Sequence, residues 1–566
     1  MMKKTITYLA LALLLSSACT LLDYNEYSGY DKKDVYTSFD RVKRSLTNIY
    51  SYVPSEYATI DGAMRAAACD EAIYVNELCG IYSMNNGSWS PTKTFDTRYG
   101  LYAGIRAVNL FLQEIRGEEF EDLKNLETYD SYMEQFSYYP YEARFLRAYF
   151  YFELMRRYRE VPIILNVLEE DEVNSLKRNS VDEVVDFIVS ECDIARANLP
   201  ERYDGIVNQE VGRATKGAAM ALKARTLLYA ASPLFNENGD VSKWEKAARA
   251  AGALINKAEA YGYTPLPKLS NLWNKNYLTN NELIFGRMEA AANSFESQNF
   301  PVGIDGGGST GHCPTQNLVD AFETKNGKPV MNTEYDSRDP MFTSNAELHD
   351  PYSNRDPRLQ ATVAVNNSNW VYSKPLEAWE GGASGKPVKY ASLTGYYLKK
   401  YVDGTISLKA GSVSKKNHVW TYFRYSEVLL NYAEAMVEAF GDYDYSAPPA
   451  FPISAREAVD MVRNRPEVNM PGFPADLTVA QFKAKLRNER MVELAFEDHR
   501  FWDIRRWKIA DQTTDIYGVR ITKDGSGFNY DKILVESRYW NDKMYFYPIP
   551  ESELNKNPGL EQNPLW

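Results

Sequence analysis

In residues 243–258 apolar side chains return every three or four positions, as Trp244, Ala247, Ala248, Ala251, Leu254, Ile255 and Ala258. That spacing places them on one stripe of a helix. The same period runs through 137–158, SYYPYEARFLRAYFYFELMRRY, with Pro140 near its start and no breaker after it. Residues 180–200 open on Ser180 with Glu183 three positions later, the pattern of a capping box, and close on Pro200. A further run, GRATKGAAMALKARTLLYAASP at 212–233, is rich in alanines that let neighbouring helices approach closely. These helix starts, near 141, 180, 214 and 243, recur at intervals of roughly 30–40 residues, close to the tetratricopeptide period. The expected fold is mainly α, a tetratricopeptide-like helical-repeat scaffold.

The texture changes between about 262 and 420, where long irregular stretches of a kind uncommon without a function take over. GIDGGGSTGHCPTQN, NAELHDPYSNRDPRLQ and LEAWEGGASGKPVKYASLTGYY are typical of it. Helical spacing resumes in TYFRYSEVLLNYAEAMVEAF, where Tyr425, Val428, Leu429, Tyr432 and Met436 share a face, and in TVAQFKAKLRNERMVELAFEDHRFWDIRRW. The C-terminal MYFYPIPESELNKNPGLEQNPLW reads as mostly extended, held down by its aromatics.

The N-terminus follows a different logic. Lys3 and Lys4 precede an apolar run, Ile6 to Leu15, of about ten residues, too short to span a bilayer but right for a secretory signal. Small residues Ser16, Ser17 and Ala18 lead directly into Cys19. A cysteine there predicts a lipoprotein signal at 1–18, with Cys19 acylated as the first mature residue and 19–35 serving as a tether. Ser16 stands where such signals usually carry leucine. The body divides into 36–262 and 263–566, expected to pack as one globular unit.

Composition narrows the chemistry. The 64 basic and 76 acidic residues give a net charge of −12 with no basic patch, which argues against nucleic acid as a partner. Beyond Cys19, the cysteines Cys69, Cys79, Cys192 and Cys313 form no C-x-x-C pair, and the four histidines do not cluster, so no metal or cofactor is expected. Cys192 is expected in the core, and pairing of Cys69 with Cys79 is left open by spacing. GGSTG at 307–311 fits G-x-S-x-G in letters but lacks the strand before and helix after it, and reads as a flexible loop. GGASGKP at 381–387 has Pro387 where a phosphate loop needs Ser or Thr. Glu489, Glu493 and Glu497 interleave with Arg487, Arg490 and Arg500, which predicts an ion-pair lattice on a packed helix face and no catalytic pair.

Aromatics carry the remaining signal. They make up 13% of the chain, with Tyr the largest share at 42. CGIYSMNNGSWSPTKTF sets Tyr82 and Trp89 among polar residues, and NNSNWVYSKPLEAWEGG does so with Trp370, Tyr372 and Trp379. A flat ring in such a loop can stack on the C–H face of a sugar while neighbouring amides and carboxylates take its hydroxyls.

LYAGIRAVNLFL, YEARFLRAYFYFELMRRY, GRATKGAAMALKARTLLYAASPLFN, PTQNLVDAF, RDPRL, TGYYLKKY, RYSEVLLNYAEAMVEA, RNERMVELAFEDHRFWDIRRW and YPIPESELNKNP, in this order, resemble the RagB/SusD family over nearly the whole mature chain. Arg98, where the family often has Trp, and YREVP in place of Tyr-Gly-Gly-Val-Pro are the departures. The resemblance implies a lipid-anchored, surface-exposed outer-membrane protein without catalytic residues. Such a protein binds a glycan and passes it to a SusC-like TonB-dependent transporter. It also implies ligand contacts at Asp70, Trp89 and Cys313, with His312 lining the site and Trp370, Trp379 and Tyr390 as weaker candidates. A peptide-capturing protein of the same arrangement and an exported glycoside hydrolase are the alternatives.

Overall fold

The apolar stripes of the first half become helices that pack side by side in chain order. The computed structural model describes residues 35–566 apart from 58, 116, 118, 204–209, 268, 270–279 and 343–348; the signal and Cys19 therefore lie outside the described residues. The principal helices are α1 (Phe39–Ser51), α2 (Leu101–Glu114), α3 (Tyr129–Tyr158), α4 (Val181–Asn198), α5 (Lys216–Ala231), α6 (Val241–Ile255), α7 (Tyr425–Phe440), α8 (Ala455–Arg463), α9 (Val479–Glu493) and α10 (Arg500–Arg506). Helix α3 packs on α1, α2 and α4, α4 on α5, α5 on α6, and α6 on α7 across a gap of nearly 170 residues in sequence. Alanines make the last step close: Ala247, Ala248 and Ala251 are buried, and a Cβ on Gly252 would meet the carbonyl oxygen of Ala450 at 2.9 Å. The scaffold is the mainly helical one expected.

Local chemistry sets several boundaries. Ser180 and Glu183 close the capping box on α4, and Thr478 with Gln481 does the same on α9, each satisfying amide donors the helix leaves unpaired. Helix α3 corrects the reading of Pro140. It begins at Tyr129, so the proline lies in its interior, where it removes one hydrogen bond to the preceding turn. A second correction concerns 421–440, whose first residues extend a strand, with the helix starting at Tyr425. The run 478–507 likewise divides into α9 and α10, with Phe496 (φ 59°) and Asp498 (φ 64°) turning the chain between them.

Strands are short and scattered. β1 (Ala72–Tyr74) pairs antiparallel with β3 (His312–Pro314), β2 (Leu283–Met288) with β6 (Val419–Arg424), β4 (Val363–Ala364) with β5 (Tyr397–Leu398), and β7 (Asp515–Asp524) with β8 (Gly527–Ser537). The last pair is a hairpin closed by Gly525 and Ser526, with Gly525 at φ +56°. The C-terminal tail carries a short helix, Glu551–Lys556, and is pinned by Tyr547 and Trp566 as its aromatics implied. Among the described residues no helix is long and apolar enough to cross a bilayer.

Glu489 and Glu493 of α9, with Glu497 just beyond its end, do form a lattice, but with partners supplied by tertiary structure. Arg358 reaches Glu489 at 2.5 Å and Glu493 at 2.9 Å; Arg463 also takes Glu489, Arg424 and Arg465 take Glu493, and Lys400 and Arg424 take Glu497. Arg490 turns to Asp503 and Arg500 to Asp70. Burial alone would raise Glu489, yet Arg358 and Arg463 outweigh it and bring the carboxyl down to about 2. The cysteines Cys69, Cys79, Cys192 and Cys313 are all buried free thiols, so Cys69 and Cys79 do not bridge and Cys192 is in the core.

Candidate functional site

The small sheet of β1 and β3 forms a floor beneath the irregular loops. Register sets Ile73 against Cys313 and Tyr74 against His312. His312 is fully buried; its Nε2 accepts from the Met64 amide at 2.8 Å, and its Nδ1 lies 2.7 Å from Asn299 Oδ1, so the proton sits on Nδ1. Burial lowers the imidazole to about 3, leaving it neutral at pH 7. Cys313 is equally buried, and burial raises its thiol. Asp70 is bound bidentately by Arg500, at 2.8 and 2.7 Å, and its neighbour Glu71 is pushed up to about 8 by burial and by Asp70.

This placement corrects the first choice of contacts. Trp89 is 1% exposed, edge-on to Tyr547 at 4.7 Å and to Trp566 at 5.1 Å. Its ring anchors the C-terminal tail and has no face left for a sugar. Asp70, His312 and Cys313 are spent on the floor: each is buried, and the polar atoms of Asp70 and His312 already have protein partners. Sequence alone could not distinguish a tryptophan that holds a loop down from one that a loop presents.

The weaker candidates fare differently. Trp370 and Tyr372 line a cleft of about 290 Å³ with Pro301, Ile304, Asp305, Lys374, Leu376, Glu377 and Ser384. Tyr372 (φ 53°) and Ser373 (φ 56°) are consecutive non-glycine residues in the left-handed region, a conformation that costs on the order of 1–2 kcal/mol each and persists only where surroundings enforce it. Enforcement comes from the Tyr372 amide donating to Gly404 at 3.1 Å, Ser373 to Trp370 at 2.9 Å, and the Leu408 amide donating to the Tyr372 hydroxyl at 3.0 Å. Trp370 itself is 9% exposed, seated edge-on against Phe300 at 6.0 Å. Asp305 stands between Lys374 (3.0 Å) and Lys409 (3.3 Å), whose hydrogen bonds hold its carboxyl below the usual range.

Loop 377–391 continues this wall. Ser384 donates to Val302 at 2.6 Å, Tyr397 donates to Ser384, and Thr394 donates to Pro314 on the floor at 2.6 Å. Glycine is required where the walls meet, because a Cβ on Gly303 (φ +81°) would overlap the carbonyl oxygen of Ala383. GGSTG at 307–311 is a loop, as expected, with Gly308 set against the Phe300 carbonyl and Gly311 against Asn299 while Gly307 faces open space. Trp379 is half-buried beside Phe528 at 6.4 Å, with Lys523 Nζ 5.0 Å from its ring; Tyr390 is 53% exposed with Lys389 Nζ at 4.9 Å. Trp370 thus shares the cleft with Glu377 and Ser384 of the loop that also carries Trp379 and Tyr390, and that loop is tied through Tyr397 and Thr394 to the strand of His312 and Cys313. Asp305, Lys374, Glu377 and Lys409 escaped sequence reasoning; the one available signal was charge punctuating glycine- and proline-rich loops. Two larger hollows, of about 580 and 620 Å³, lie on the helical body, the first involving α1, β2 and β6 and the second between α2 and the C-terminal helix. Neither has two consecutive strained residues presenting an aromatic.

Comparisons with known proteins cover most of the chain. Residues 273–566 match the SusD family, and residues 22–228 match a family described as starch-binding, associating with outer membrane. SusD-like protein P2 of Formosa agariphila is 24% identical over 436 residues, covering 75% of this chain and 72% of that protein. A solved SusD-like protein from Bacteroides fragilis superposes with a TM-score of 0.76 at 26% identity, covering 94% of this chain and 98% of the other. A second from the same organism, a SusD-like carbohydrate binding protein, gives 0.71 at 25%, covering 93% and 100%.

Proposed function

Because the chain belongs to the SusD family, we propose that it is a surface glycan-binding lipoprotein, anchored in the outer membrane through acylated Cys19. It captures oligosaccharide and delivers it, without cleaving it, to a SusC-like TonB-dependent transporter. The observation that carries the reading is the loop cleft in which strained backbone presents Tyr372 beside Trp370, with Asp305, Lys374 and Glu377 at its rim. Aromatic faces meet sugar C–H surfaces there, and the carboxylates accept hydroxyl protons. The carbohydrate-binding description of the similar B. fragilis protein supports the ligand class, and the outer-membrane description of the family matching 22–228 supports the location. Several acyl chains, at about 0.8 kcal/mol per buried methylene, make such an anchor durable.

The test is calorimetry of the chain from residue 20 against a panel of oligosaccharides, with Tyr372→Ala and Trp370→Ala beside it. Binding of a glycan without cleavage, lost by at least about tenfold in Tyr372→Ala, supports the reading. Binding unaffected by either substitution moves the site away from the cleft. Silence across the glycans with binding to peptides makes the protein a peptide-capturing relative.

A further inference from the structure

The partly or fully exposed aromatics of the loop system share a feature that a neutral ligand does not explain. An ammonium group lies over each ring: Lys409 over Tyr372 at 4.6 Å, Lys523 over Trp379 at 5.0 Å, and Lys389 over Tyr390 at 4.9 Å. Lys374 adds a fourth positive group on the cleft wall, its side chain 65% exposed. The lysines come from separate stretches of chain, two of the irregular loops and strand β7, so the repetition is not the accident of one basic run. It also runs against the chain's net charge of −12.

The local acids leave these groups able to turn to a ligand, because one carboxylate is shared between two ammonium groups and Glu377 pairs with neither. Asp305 binds Lys374 and Lys409 at once, and holds both at the mouth of the cleft. Glu377 accepts from the Ala383 amide at 3.1 Å, and Glu380 is the other acid of the loop. A neutral sugar stacking on Tyr372 must displace an ammonium from the ring face and offers that ammonium no charge to pair with. A sugar bearing a carboxylate or sulfate draws the same ammonium onto its own anion, so the ring is uncovered and an ion pair forms in one movement.

We propose that the site takes an anionic glycan, one carrying uronate carboxylates or sulfate esters, with Lys374 and Lys409 reading the charge and Tyr372 the sugar face. This rests on the glycan-binding reading above and names its substrate class.

The experiment compares matched pairs on the full-length protein in detergent: polygalacturonate against its methyl-esterified form for carboxylate, and κ-carrageenan against its desulfated form for sulfate. The expected result is binding to the charged member of one pair at least about tenfold tighter than to its neutral partner. That preference weakens as salt is raised. The pair that responds tells carboxylate from sulfate. The double variant Lys374→Gln/Lys409→Gln loses that preference, and the double Lys→Arg variant keeps it; both positions are exposed, so folding is not at stake. Equal binding of charged and neutral partners, or binding of neutral glycans alone, overturns this inference while leaving a glycan-binding protein. No binding to any member, while the oligosaccharide panel finds a neutral glycan that binds, overturns this inference alone; silence on the pairs and the panel together overturns both.

Discussion

At the scale of single residues, charge burial dominates the molecule's behaviour. Arg358 is fully buried among Asp356, Glu489 and Glu493. Removing one partner from such a network strands the others in a medium that solvates them poorly, so Arg358→Ala is expected to cost about 3–5 kcal/mol by urea denaturation, against near-neutrality for exposed Lys124→Ala. His312 gives a pH dependence of definite sign. Its folded value of about 3 lies below the 6.5 of an exposed imidazole, so the unfolded chain binds the extra proton first. The contribution of His312 is therefore intact above pH 6.5 and is lost as pH drops from 6.5 toward 3. The loss reaches about 2 kcal/mol by pH 5. Glu434 and Glu489, both near 2, add a further loss below about 4.5, while Glu71, raised to about 8, contributes stability at low pH that is lost as pH rises from 4.5 through 8. Between pH 5 and 6.5 the His312 and Glu71 trends oppose one another, so in His312→Gln the Glu71 trend stands alone and stability should rise as pH falls from 6.5 to 5; a slope unchanged from the parent protein would assign the His312 share to other groups.

At the scale of elements, caps and contacts between loops decide what the side chains can do. Ser180→Ala removes the capping box of α4 and is expected to cost about 1 kcal/mol in thermal or urea unfolding. Gly303→Ala acts on the site instead. Its Cβ meets the backbone of Ala383 and its φ of +81° is unfavourable for alanine, so the 301–311 and 377–391 loops must part. The expected signature is faster amide exchange confined to those loops together with weakened glycan binding, while exchange in α5 and α6 stays unchanged. Exchange that rises throughout would show the loops to be integral to the body's stability.

At the scale of the whole molecule, the two halves of the chain share buried contacts. Arg225 on α5 binds Glu427 on α7 at 2.5 Å, Arg65 binds Asp498 at 2.6 Å, and α6 packs along α7. A body joined this way should melt in one calorimetric transition, and residues 36–262 expressed alone should lack it. Two resolved transitions would mean that the halves fold independently.

The sequence by itself determined the helical class, the order of the helices, both ends of α4 and the family, because each rests on local signals: apolar period, capping pairs, proline stops and contiguous motifs. It also determined that the glutamates of α9 would be paired. Their partners were set by the way distant segments pack. Arg358, Arg424 and Lys400 reach α9 from remote segments, and no spacing rule connects them. Pro140 inside α3 and the strand ahead of α7 were settled by packing that overrode local preference. The hairpin β7–β8 has a local signal too, the Gly525-Ser526 turn between its strands. The site was the least legible part, since Trp89 and Trp370 sit in similar polar loops, and whether a ring is buried by the C-terminal tail or set on a cleft wall depends on chain hundreds of residues away.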